Sequence, residues 1–190
     1  MYPYIRLAKE FLRYRSAPKL GLTDEHATDL ICWPWDIDPW MELNNGRTLT
    51  LYDLGRFVLF RRIGVVDMMK RKRWSGVVAG CSVRYRRRVR SFDRFTLRTR
   101  IVGWDARFMY MEQGMWRNGE CASHGLMRIA VTSKAGIVPT AECLEAMGLP
   151  QGNPPLPDWI AAWSEADALR PWPPMADTPA ASTHTGLAAH

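Results

Sequence analysis

Histidine and cysteine, the usual material of metal and redox sites, are scarce in this chain and poorly placed. The four cysteines (Cys32, Cys81, Cys121, Cys143) lie far apart with no C-x-x-C pair. That excludes a zinc knuckle and a dithiol redox centre. Three of the four sit in apolar, strand-like runs, as buried free thiols do, and reduced thiols point to a cytoplasmic protein. The four histidines (His26, His124, His184, His190) show no metal-ligand spacing. His124 falls inside a strand pattern and reads as a satisfied core histidine. No apolar run approaches the ~18 residues of a membrane span. Arg6, Lys9, Glu10 and Arg13 interrupt the N-terminus, which does not read as a secretory leader. G-x-S-x-G, G-x-G-x-x-G and P-loop patterns are all missing. The expected chemistry therefore uses neither metal nor cofactor.

What is present fits one domain with extensions. The chain has 190 residues, 47% of them hydrophobic, nine tryptophans and a net charge of +7. Such a charge favours phosphate-bearing or acidic partners. Two basic runs carry much of it: Lys70 to Arg73, and Arg84, Arg86, Arg87, Arg88 and Arg90. On a strand, Arg84, Arg86, Arg88 and Arg90 share one face. They form either a solvated face or a row suited to phosphates, whose geometry the guanidinium matches. Nucleic acid is not expected, because Tyr85 is the only aromatic in that run and stacking platforms are lacking.

Residues 2–15 read as an amphipathic helix, with Tyr4, Leu7, Ala8, Phe11 and Leu12 along one side. Packing onto the domain or a partner subunit is its expected use, and lying on a membrane surface is the alternative. Residues 28–36 read as a first strand. A helix follows from about Asn45 to Ile63, capped by Asn44 or Asn45 and stopped by Gly64. It is apolar nearly all round and so should be buried. Gly55 within it suggests close approach of a sheet. Residues 65–74 read as a short helix and turn. Strand patterns then cover 77–89, 95–104, 108–116 and 121–131, with Asn118-Gly119 as a strong hairpin signal. Four successive strands imply an antiparallel meander. With the first strand they make a five-stranded sheet over one buried helix, an α+β domain. Short helices are expected over 140–147 and 157–168, and a disordered tail over 171–190.

The segment from Asp36 to Arg56 (DIDPWMELNNGRTLTLYDLGR) holds the richest chemistry. Two aspartates precede a short loop, and the loop leads into a helix N-terminus. That end offers unpaired N–H groups and partial positive charge. Carboxylate and donors together suit attack on a carbonyl and stabilisation of the oxyanion. Spacing alone equally allows both aspartates to cap the loop through backbone bonds. Asp53 and Arg56, three apart, should pair on one helix face.

This segment resembles the signature of hotdog-fold thioesterases of the 4-hydroxybenzoyl-CoA type. Asp36, Asp38, Asn44, Asn45, Asp53 and Arg56 fall in register with that pattern. Phe92-Asp93-Arg94-Phe95, Gly103-Trp104-Asp105 and Arg117-Asn118-Gly119-Glu120 resemble its later turns, so the likeness spans about 26–140. It implies an α+β hotdog fold, an antiparallel sheet wrapped around a long central helix, and hydrolysis of an acyl-CoA thioester. In that family the second aspartate, here Asp38, attacks the thioester or activates water, and the backbone N–H at Asn45 polarises the carbonyl. Glu42, Asn44, Arg86 and Arg88 are then the expected substrate contacts. Residues 1–20 would be an N-terminal helix, 26–140 the hotdog domain and 141–170 a helical extension. A homodimer or homotetramer is implied. Two departures stand out: Met41-Glu42 occupies the place where many relatives carry Gly-His or a lone His, and Thr48 replaces a common tyrosine. They leave a non-catalytic acyl-CoA- or lipid-binding protein as the alternative.

Overall fold

The computed structural model describes residues 2–174. It divides into two compact units, residues 1–155 and 156–190. Among its described residues the second carries one helix, α5 (Asp158–Ala168), begun after Pro157. The expected disordered tail lies outside the described residues from 175 onward.

The first unit runs in order α1 (Tyr4–Arg13), β1 (His26–Ile31), α2 (Asn45–Arg62), α3 (Val65–Lys72), β2 (Ser75–Tyr85), β3 (Arg94–Trp104), β4 (Met109–Arg117), β5 (Glu120–Ser133), β6 (Gly136–Val138) and α4 (Thr140–Ala146). Every strand pairing is antiparallel, in the order β1-β3-β4-β5-β2, with β6 added to β5. α2 lies against this sheet, with Leu51, Tyr52, Leu54, Val58 and Leu59 fully buried. Gly55 has the role expected of it. A Cβ there would sit 2.6 Å from the Thr99 hydroxyl oxygen and 2.8 Å from Leu97 on β3. On the facing sheet, a Cβ at Gly125 would meet the Tyr52 ring at 2.7 Å. Helix and sheet therefore interlock through a glycine on each. Gln113, buried on β4, donates to the Tyr52 carbonyl at 2.7 Å and to Thr99 at 3.1 Å, while Arg56 donates to its carbonyl oxygen at 3.3 Å. Asp53 and Arg56 form the expected ion pair.

Local chemistry explains the element ends. Asn44 is the N-cap of α2, its side-chain oxygen accepting from Gly46 and Arg47 at 2.9 and 3.2 Å. Gly64, at φ 83°, ends the helix in a left-handed turn. Asn118 and Gly119 both have positive φ, 50° and 79°, the requirement of the two-residue hairpin joining β4 to β5.

The structure corrects the expected strands in three ways. The sheet has six strands, because Gly136–Val138 folds back on β5. The meander covers only β3, β4 and β5, while β2 crosses to the far edge and pairs with β5. The first strand ends at Ile31 instead of continuing to Asp36, because Pro34 opens a turn of 3-10 helix over Pro34–Asp36. His124 is also misplaced by the sequence reading. It lies half-exposed on the outer face of the sheet, with Nε2 3.3 Å from Glu112. Of the three cysteines in strand-like runs, expected to be buried, Cys32 is buried, Cys121 is half-buried and Cys81 is exposed on β2, while Cys143, on α4, is buried.

Candidate active site at the start of the central helix

Asp36 organises the site from beneath. It is fully buried and accepts from Arg6 Nη1 at 2.7 Å, from Arg47 Nε and Nη2 at 3.0 and 2.7 Å, and from the Trp33 N–H at 3.1 Å. Arg47 belongs to the first turn of α2, and Arg6 reaches in from α1. The Asp36 carbonyl also accepts from the Asn44 N–H at 2.9 Å. One carboxylate thus ties together the N-terminal helix, the end of the first strand and the start of the central helix. Neither arginine stood out in the sequence. Arg6 is thirty residues away, and Arg47 carries no signal beyond its place in a first helical turn.

The loop from Asp38 to Glu42 is closed on itself. The Asp38 N–H donates to the Glu42 carbonyl at 2.9 Å and the Met41 N–H to the Asp38 carbonyl at 3.0 Å. Ile37 and Leu43 form a bridge across its mouth. One oxygen of Asp38, Oδ1, accepts from the N–H groups of Trp40 and Glu42 at 2.9 and 3.3 Å. So Asp38 does cap the loop, as spacing alone allowed, and it does so with one of its two oxygens. Met41 adopts φ 60°. This left-handed conformation favours glycine, the residue that the resembling family often places at this point.

A cavity of about 230 Å³ opens beside the helix start, lined by Glu42, Leu43, Asn45, Thr48, Tyr85, Arg86 to Arg88, Val89 and Ser123. Four of the six expected site residues meet here: Glu42, Asn45, Arg86 and Arg88. Asp38 and Asn44 stand outside the lining. Asn44 is occupied as the helix cap. It serves the N–H groups of Gly46 and Arg47, so the Asn45 N–H is left without a partner from the cap. The cavity wall is rich in hydroxyls. Ser123 and Tyr52 share a hydrogen bond at 3.0 Å, and Thr48 bonds the Tyr85 hydroxyl. Burial raises the pKa of both phenols, so they stay neutral. Sequence reasoning missed Ser123 in this lining, with the buried Tyr52 behind it, although strand alternation places Ser123 on the face opposite His124.

The arginines are arranged differently from the expected strand-face row. β2 ends at Tyr85, because the N–H groups of Arg86 and Arg87 both turn to the Ala122 carbonyl, at 2.8 and 3.0 Å. Beyond them, the Leu43 N–H donates to the Val89 carbonyl at 2.8 Å, drawing this segment toward the aspartate loop. A loop, not a strand face, therefore presents Arg86, Arg87 and Arg88 together. Arg88 pairs with Glu42 at 3.1 Å, and Arg87 with Glu120 at 3.0 Å. Among the described residues, no group of three or more His, Cys, Asp or Glu could hold a metal ion.

A curled antiparallel sheet on a buried helix, with its cavity at the helix N-terminus, defines a hotdog-fold protein. Solved structures agree on the fold. The probable thioesterase YbaW from Escherichia coli aligns at a TM-score of 0.59 and 18% identity, over 64% of this chain and 97% of that one. The DHNA-CoA thioesterase from Staphylococcus aureus aligns at 0.56 and 15% identity, over 76% and 92%. The model of the thioesterase-like superfamily matches residues 32–164, more than half of the chain, which belongs to that superfamily. Protein THEM6 from Xenopus laevis is 39% identical over 111 residues, 58% of this chain. The match spans about half of that relative, 54% of its length.

Proposed function

We propose that this protein hydrolyses an acyl-CoA thioester to the free acid and coenzyme A. The observation that carries the reading is the cavity at the start of α2, where the Asn45 end of the helix faces a loop of three consecutive arginines. In this scheme the thioester carbonyl oxygen sits on the Asn45 N–H, and the helix terminus stabilises the negative charge that develops there. The Asp38 carboxylate either adds to the carbonyl carbon, giving an anhydride that water then opens, or takes a proton from the water that attacks. Either route expels the coenzyme A thiolate, a competent leaving group. Arg86 and Arg88 bind the coenzyme's phosphates.

The working assembly in this reading is a homodimer. β2 is an exposed edge strand eleven residues long, with Val77, Val78 and Tyr85 open to solvent. Such an edge invites pairing with another chain. A partner chain joined there would stand beside the cavity and bring further residues toward Asp38. The compartment proposed is the cytoplasm, in keeping with the free cysteines. Among the described residues, no helix is long and apolar enough to cross a membrane.

A second reading has its own support. Asp38 is partly engaged in the loop and stands outside the cavity lining, and Glu42 is paired with Arg88. A protein that binds acyl-CoA without cleaving it would tolerate both. Thiol release from a panel of short, long and aromatic acyl-CoAs separates the two readings. Turnover on any member is the expected result. Saturable acyl-CoA binding with no thiol release across the panel would transfer the assignment to the binder.

A further inference from the structure

The exposed face of α1 is apolar, the reverse of an ordinary surface helix. At about 100° per residue, Tyr4, Ala8, Leu12 and Ile5 fall within a single arc roughly 100° wide. All four point outward, with Ile5 87%, Tyr4 72% and Leu12 64% exposed. The inner face holds polar groups instead. Glu10 is buried and accepts from the Thr28 hydroxyl at 2.6 Å, Arg6 grips Asp36 and the Ile31 carbonyl, and only Leu7 and Phe11 turn apolar surface inward. The expected packing onto the domain does occur, but with a different set of residues. Two apolar turns of helix face outward with no described residue over them.

We propose that this face docks on a membrane surface carrying anionic phospholipids. Its chemistry matches a helix lying in the plane of a bilayer interface. Such helices put aliphatic and aromatic side chains into the headgroup boundary, with Lys and Arg along the flanks. Lys9 flanks the apolar arc and is exposed, while Arg13, further round the helix, reaches back to the Asp29 carbonyl at 3.3 Å. Of the basic side chains in residues 2–19, Arg6 is taken up by Asp36 and Arg13 by β1, which leaves Lys9, Arg15 and Lys19 exposed, and the segment's one acid, Glu10, is buried against Thr28. The patch continues off the helix through an aromatic that suits the headgroup level. Trp35, 66% exposed, lines an open apolar groove of about 670 Å³ with Tyr2, Pro3, Tyr4 and Ile5, and stacks on Trp33. A second copy of the chain is the less suitable occupant. α1 bonds to β1, the edge of the sheet opposite β2, so a dimer joined through β2 leaves this face open.

The inference stands apart from the thioester reaction, and its test needs no turnover. The full chain is floated with vesicles of phosphatidylcholine plus phosphatidylglycerol, and with vesicles of phosphatidylcholine alone. Recovery with the anionic vesicles is expected, lost on neutral vesicles and weakened by salt. The double variant Ile5→Ser/Leu12→Ser should bind at least about tenfold more weakly, since two apolar anchors no longer leave water. The replaced side chains are exposed, so its thermal unfolding should match the parent. Lys9→Glu, on the flank, should also weaken binding to anionic vesicles only. Absence of flotation, or flotation unchanged in the double variant, overturns the proposal. So does an oligomer, seen by sedimentation velocity, that Ile5→Ser/Leu12→Ser dissolves, because the face would then belong to a second copy.

Discussion

Replacing Asp36 and Asp38 separately by asparagine should give opposite phenotypes, although the two residues stand one apart. Asp36 is fully buried between Arg6 and Arg47 and accepts four hydrogen bonds. Asp36→Asn keeps the shape but removes the charge, and leaves two guanidiniums facing one neutral amide that needs acceptors of its own. Breaking a buried pair this way costs ~3–5 kcal/mol. The arginine side chains remain 16% and 20% exposed, so water still reaches them and the lower end applies, about 3 kcal/mol. For a chain of this size that is a fall in Tm of roughly 6–12 °C. Asp38→Asn is a different change. Its remaining carbonyl oxygen can still accept from Trp40 and Glu42, as Oδ1 does now. Stability should move by no more than ~0.5 kcal/mol. Thiol release should fall at least about a hundredfold, because the group that attacks or takes the proton has gone. Urea unfolding and the acyl-CoA panel, run on both variants, read the two effects separately. Equal destabilisation by both would mean that Asp38 is a structural cap and no more. Full turnover in Asp38→Asn would remove it from the mechanism.

Asn45→Pro deletes the one N–H assigned to the oxyanion while respecting the fold. Proline is tolerated at the first helical position, and Asn44, at φ −59° and ψ 139°, already has the conformation that a residue before proline prefers. Turnover should drop by ~10²–10³ with circular dichroism unchanged, and an active Asn45→Pro protein would refute the assigned donor. Burial, reinforced by Arg62 and Arg13, lowers His26 to about 4. The unfolded chain takes up that proton near pH ~6.5 and the folded chain refuses it, so stability is complete above about 6.5 and falls toward pH ~4, by up to ~3 kcal/mol. Urea midpoints against pH should show a slope in this window that His26→Gln reduces, and equal slopes would refute the assignment. Met41→Gly relieves the left-handed backbone at φ 60° and should stabilise by about 0.5–1 kcal/mol, after the added freedom of the unfolded chain is counted. A loss of stability in thermal unfolding would show that the Met41 side chain holds the loop.

What could be read from the sequence was whatever depends on neighbours along the chain. The all-apolar pattern of 49–63 announced a buried helix, and Gly55 announced a close sheet, because each follows from periodicity or from one missing Cβ. Asn118-Gly119 named its own hairpin for the same reason. The crossing of β2 to the far edge left no such trace. Its strand pattern is the same whether it pairs with β3 or β5, and the choice is made by contacts with distant residues, from Tyr85 with Ser123 to Ser75 with Thr132. The arginine row failed on a smaller scale. Alternation puts Arg84, Arg86, Arg88 and Arg90 on one face only while the strand lasts. It ends where the N–H groups of Arg86 and Arg87 turn to the single Ala122 carbonyl. The change favours the proposed site, since a loop can bring three successive guanidiniums to one cavity and a strand would send every second one away. The two aspartates show the same limit. Spacing marked both as loop caps or catalysts without separating them. They part only when Arg6, from a helix beyond the motif, neutralises Asp36 from below. Asp36 is then committed to holding the loop and the helix start together, and of the two carboxylates only Asp38 keeps an oxygen that the loop does not use.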